Sequence, residues 1–130
     1  MSRGAAVAAW LAALIGALQL ARAQGQPADA NEGQLAFNNA CRTCHTLREG
    51  DNRLGPSLHN IVGRKAGALA GFGYSSAMKG AGITWDKATL DRFIANPDAV
   101  VPGHNMKPFG GIASAEDRAR IVAYLEQSSH

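Results

Sequence analysis

Both cysteines of this 130-residue chain fall in one pentapeptide, Cys41-Arg42-Thr43-Cys44-His45. On a helical turn, residues three apart share a face, so two sulfurs spaced this way can bond the two vinyl groups on one porphyrin edge. An imidazole next in the chain is then held beneath the metal and can donate a ring nitrogen as axial ligand. C-x-x-C-H is the spacing that covalent attachment of a c-type haem requires. With two Cys and four His in the chain, the pentapeptide arises by accident on the order of once in a thousand such sequences. Two other chemistries use close cysteine pairs. A redox disulfide opens a helix within a βαβ pattern, which is not visible here. A zinc site needs a fourth ligand and normally a second close pair, and only the scattered His59, His104 and His130 are available.

The elements that must position this pentapeptide read as helices separated by long loops. Leu35, Phe37 and Ala40 give residues 31–40 a helical pattern, with Asp29 as a cap. Residues 46–74 hold seven Gly or Pro and little periodicity, so they read as loop. Residues 75–80 suit one short helix. Over 84–96, Thr84 is the expected cap, Leu90, Phe93 and Ile94 share a face, and Pro97 forbids extension. Pro102-Gly103 and residues 107–111 are turn-rich. Ser114-Ala115-Glu116-Asp117 resembles a capping box that opens a last helix, whose Ile121, Val122, Tyr124 and Leu125 form an apolar stripe. No stretch alternates convincingly as a strand. The expected class is all-α, and loops this long in a small domain suggest that they wrap a buried group.

The N-terminal segment reads as an export signal. Met1-Ser2-Arg3 supplies a positive head, residues 5–18 carry no charge, and Ala21-Arg22-Ala23 is an A-x-A cleavage pattern. As a helix, residues 5–18 span roughly 21 Å, short of a ~30 Å hydrocarbon core, which argues against the alternative of an uncleaved anchor. The expected organisation is a cleaved signal peptide over 1–23, a flexible lead-in over 24–30 and one domain over 31–130, with a periplasmic location. The formal net charge of the whole chain, +3, is too small to suggest nucleic-acid binding. Losing Arg3 and Arg22 with the signal leaves acidic and basic residues almost balanced, so electrostatics must act through local patches.

With the pentapeptide placed, the remaining landmarks resemble class I cytochrome c of the mitochondrial type and its soluble bacterial relatives. They are Gly33 and Phe37, Gly55-Pro56-Ser57-Leu58, Gly63-Arg64-Lys65-Ala66-Gly67, Tyr74 and Gly82-Ile83-Thr84-Trp85. Asn96-Pro97, Pro102-Gly103-His104-Asn105-Met106 and residues 121–125 complete the set. The resemblance implies helices and loops wrapped around one haem c, attached through Cys41 and Cys44 and ligated by His45 and Met106. It implies that the Pro56 carbonyl accepts the other N–H of His45, which fixes the imidazole and raises its donor strength. Arg64, Tyr74 and Trp85 match positions that bond or balance the haem propionates. Gly33, Phe37 and Tyr124 match the packing of the first helix on the last, and Met78 reads as packing near the haem. The sequence departs from the family in three places. Phe93 stands where a tyrosine is common and His104 where a threonine is common, and the Lys107-Pro108-Phe109 stretch is one residue longer than usual.

An iron ligated on both faces has no open position for substrate, and a neutral thioether favours the ferrous state. The resemblance therefore implies a soluble one-electron carrier of fairly high potential rather than an enzyme. It would be a monomer shuttling between respiratory or photosynthetic redox complexes in the membrane and other electron-transfer proteins. Arg42, Lys65, Lys79 and Lys107 are candidates for a positive docking rim. A haem peroxidase or gas sensor would need a five-coordinate iron, and a fixed electron-transfer subunit could use the same domain. His104 or Lys107, flanking Met106, or hydroxide, is expected to displace the thioether at alkaline pH.

Overall fold

The computed structural model describes residues 30–128. Asp29 and the export and lead-in segments lie outside the described residues. Five helices follow one another: α1 (Ala30–Ala40), α2 (Ser76–Lys79), α3 (Lys87–Ala95), α4 (Pro97–Val100) and α5 (Ala115–Gln127). Among the described residues there is no strand, only a single antiparallel bridge between Lys65 and Thr84. The all-α expectation holds. No helix among the described residues is long and apolar enough to cross a membrane.

Chain entry and exit are joined by α1 packing on α5. The contact needs a glycine: a Cβ on Gly33 would sit 2.9 Å from both Arg120 O and Tyr124 Cβ. One turn on, Phe37 lies under the Tyr124 ring, centroids 5.6 Å apart. Ile121, Val122 and Leu125 carry the buried stripe of α5, and full burial of one such side chain is worth roughly 1.5–3 kcal/mol. On α1 the buried residues are Gly33 and Phe37. Leu35 departs from the expected pattern and faces solvent, 61% exposed. Its position lies on the side of the helix opposite the α5 contact, where two residues turn the chain by about 200°.

Capping explains where the other helices start. Ser75 Oγ accepts the Met78 N–H, and Ser114 Oγ accepts the Asp117 N–H, the second as its capping-box pattern suggests. The start of α3 differs. Asp86, not Thr84, is its cap, accepting the Thr89 N–H at 2.7 Å while Thr89 Oγ1 accepts the Asp86 N–H at 2.7 Å. Thr84 is committed elsewhere, in the bridge to Lys65, where Trp85 N–H also donates to Arg64 O and Gly63 N–H to Trp85 O. Pro97 does end α3, but it also opens α4, where a missing N–H costs nothing at the first helical position; Asn96 Oδ1 caps this turn through the Ala99 N–H.

Candidate functional site

The pentapeptide continues directly from α1. Cys41 N–H donates to Phe37 O, and the N–H groups of Cys44 and His45 both donate to Cys41 O at 3.1 and 3.0 Å. Residues 41–45 thus form one more helical turn, which places the two cysteines on a common face. Both are free and half-buried. Burial, with the second thiol nearby, pushes the Cys41 thiol up to about 11, so it rests protonated. Among the described residues no group of three or more His, Cys, Asp or Glu could hold a metal ion.

His45 is buried and held from two sides. Its Nδ1 lies 2.7 Å from the Pro56 carbonyl. A carbonyl only accepts, so Nδ1 carries the proton and Nε2 keeps its lone pair. Burial lowers the pKa of the ring, more than the Pro56 bond raises it, which keeps the imidazole neutral. On the other side is Gly55, where a Cβ would fall within 2.7 Å of Nδ1 and 2.9 Å of Nε2. A side chain there would collide with the ring.

The intervening loop is closed by its own polar groups. Gly55 N–H donates to Cys44 O, Thr46 Oγ1 to Asp51 O, and the Ser57 N–H to Asn52 Oδ1. Ser57 Oγ, almost wholly buried, donates to Arg48 O at 2.6 Å. Arg48 and Arg53 both pair with Asp51 and hold its carboxyl below the usual range. The backbone around Pro56 is therefore fixed before any ligand is considered.

Arg64 is half-buried, and its Nη2 donates to Ser57 O at 2.8 Å. It is near enough to Tyr74 for each to alter the other's ionisation; burial is the larger influence on both, lowering the pKa of Arg64 and raising that of Tyr74. Trp85 is buried with its ring 5.0 Å from Phe93. Met106 is half-buried against the apolar cluster, as are Met78 and Leu58. The structure thus places Pro56 on His45 and brings Arg64 to Tyr74.

Two features were not legible from the sequence. Gly55 stood out only as part of a motif; its reason is the His45 ring. His104 is buried, with its edge towards Phe93 at 5.9 Å, and its Nδ1 accepts the Met106 N–H. Lys107 donates to both oxygens of Asp98 at 2.7 Å. Both flanking side chains expected to compete for iron are thus turned towards Asp98.

The donor set suits a c-type haem: two unpaired cysteines on one turn, a neutral imidazole with Nε2 uncommitted, and a glycine cradle against that ring. The comparisons agree. Residues 28–125 match a family described as "Cytochrome C oxidase, cbb3-type, subunit III". Cytochrome c2 of Rhodomicrobium vannielii is 43% identical over 118 residues, covering 87% of this chain and 90% of its own. Cytochrome c of Cochliobolus lunatus is 41% identical over 102 residues, 78% of this chain and 94% of its own. Among solved structures, cytochrome cH from Methylobacterium extorquens superimposes with a TM-score of 0.70 at 40% identity, covering 76% of this chain and 98% of that one.

The chain belongs to the class I cytochrome c family. It carries one haem c, bound covalently through Cys41 and Cys44, and is an electron carrier. In this cytochrome the two cysteines that would form the thioethers stand on a turn already rooted in α1, so the packing of α1 on α5 bears on how they are placed.

Proposed function

We propose that His45, through Nε2, and Met106, through Sδ, would hold the haem iron, and that this cytochrome is a carrier rather than an enzyme because two protein ligands would leave no position for a substrate. When bound, the haem supplies a single exchangeable electron. The chain's own residues do the rest. Pro56 holds the His45 proton on Nδ1, aims Nε2 and strengthens it as a donor. Met106 contributes a neutral sulfur, which favours the ferrous form. Arg64, Tyr74 and Trp85 would hold the propionates, where cationic charge and N–H or O–H donors would offset the burial of carboxylates. The observation that carries this reading is the 2.7 Å bond from His45 to Pro56, which leaves the Nε2 lone pair to be donated to a metal.

Visible spectra of the oxidised and reduced protein test it, with a pyridine haemochrome assay for covalent attachment. The ferric form is expected to show the thioether-to-iron charge-transfer band, and Met106→Ala is expected to abolish it and admit peroxide or carbon monoxide. A parent protein whose ferrous form promptly bound carbon monoxide would place it with gas sensors or peroxidases instead.

The segment over 1–23 supports export and a periplasmic location; the purified protein should then begin at Gln24 by mass spectrometry. The carrier is proposed to work as a monomer with membrane redox complexes and other electron-transfer proteins, binding each briefly, with no nucleic-acid partner. A second reading, a fixed module of an oxidase, is favoured by the description of the matched family. Coverage of 98% of the solved cytochrome cH chain supports the free carrier, and a single small species in gel filtration after detergent-free purification would bear it out.

A further inference from the structure

Three polar side chains are buried among the described residues: His45, Ser57 and His104. The first is held by Pro56 and the second closes the loop that carries it. His104 has no part in either, yet its side chain is completely sealed from solvent. Its Nδ1 accepts the backbone N–H of Met106 at 2.9 Å. A nitrogen that accepts carries no proton, so in the neutral ring the proton lies on Nε2. That atom is 3.2 Å from Asp98 Oδ1, off the line of a hydrogen bond but beside a full negative charge. Lys107, on the other side of Met106, closes on the same carboxylate with both contacts at 2.7 Å.

The arrangement spans two elements. Asp98 belongs to α4, which is fixed by its Asn96 cap. Residues 104 and 107 belong to the loop that bears Met106, and that loop is further tightened by His104 N–H to Val101 O and Lys107 N–H to Asn105 O. The residue two before Met106 and the one directly after it are thus tied to one point on a neighbouring helical turn. Swinging Met106 away must break the bond to Nδ1 and leave a buried acceptor without its donor, which is the costly kind of loss.

We propose that His104 and Asp98 form a latch that positions Met106 and sets how readily the methionine loop yields its place to a competing ligand. His104 is a positioning residue in this role, acting through the Met106 backbone. The same latch keeps the ring of His104 and the amine of Lys107 turned towards α4. This inference rests on the reading of Met106 as an axial ligand.

The test uses the haem-loaded full chain at fixed neutral pH. Ferric protein is titrated with imidazole, which enters as Met106 leaves, and the exchange rate of the Met106 amide is measured by NMR in the ferrous form. His104→Ala is expected to raise imidazole affinity roughly 5- to 30-fold, the factor that one lost hydrogen bond of ~1–2 kcal/mol implies, and to speed Met106 exchange. His104→Asn places an oxygen where Nδ1 lies and is expected to restore the slow exchange, which a merely space-filling role would not do. Asp98→Ala, at an exposed position, is expected to raise imidazole affinity several-fold with the haem environment otherwise intact. Parental values for both measurements in His104→Ala or in Asp98→Ala overturn the latch, and so does fast Met106 exchange in His104→Asn. Should His104→Ala fail to take up haem, Asp98→Ala and His104→Asn decide. Failure of the ligand reading looks different: the parent ferric spectrum would lack the thioether band and be unmoved by Met106→Ala.

Discussion

Gly55 shows how a single missing methyl group can serve a ligand. The His45 ring occupies the space a Cβ would need, while the next residue's carbonyl holds Nδ1. Substituting Gly55→Ala must therefore displace either the imidazole or the loop, and overpacking of this kind costs ~1–3 kcal/mol. The expected outcome is a lower denaturant midpoint for the haem-loaded protein and a ferric spectrum shifted away from that of the parent, since Nε2 is no longer aimed as before. A variant with the parent's midpoint and spectrum would show that the cradle is loose. The pentapeptide was legible in the sequence because its chemistry is local, and Pro56 through its motif. The partnership of His104 with Asp98 was not: it depends on α4 folding back over the loop, and no spacing rule encodes that.

Helix ends tell the same story one level up. Ser114 could be assigned as a cap because it acts on the three residues that follow it. Thr84 could not be excluded from sequence alone, since its backbone is claimed by Lys65, nineteen positions earlier. The true cap, Asp86, has its carboxyl held below the usual range, chiefly by the Thr89 N–H and then by the Thr89 hydroxyl. A depressed folded pKa means that the unfolded chain takes up protons first as pH falls. The stabilising contribution is thus fully present above the unfolded value near 3.8 and disappears as pH falls through the lower folded one. Asp86→Ala is expected to lower the unfolding midpoint at pH 7, and the gap from the parent should narrow below about pH 4. A gap that stayed constant into strong acid would mean that Asp86 acts through shape rather than charge. The long loops also carried information at this scale. Their Gly and Pro content announced a wrapped group, but the α4 turn hidden after Pro97 did not announce itself, because four residues carry no period.

For the whole molecule, near-balance of charge outside residues 1–23 leaves docking to local patches. Lys107, expected in the docking rim, is paired with Asp98, so the two charges largely cancel there. Arg42, Lys65 and Lys79 are exposed and form no ion pair among the described residues. Lys65 and Lys79 also come from neighbouring segments: a Cβ on Gly67 would lie 2.7 Å from Lys79 Cα, so the loop after Lys65 is pressed against α2. Two unpaired cations on adjoining segments make a patch whose field an approaching partner meets, even where the net charge is close to zero. Hexacyanoferrate and tris(phenanthroline)cobalt, oxidants of opposite charge, probe that field without assuming any particular partner. The anion is expected to oxidise the ferrous protein faster at low ionic strength than at high, and the cation to show the reverse. Replacing both Lys65 and Lys79 by Glu should slow the anion roughly tenfold at low salt, speed the cation, and flatten the anion's salt dependence. Equal behaviour of parent and double variant towards both oxidants would move the electron's exit away from this patch. The remaining candidate would then be the surface around Arg42, which lies beside the haem-bearing turn itself.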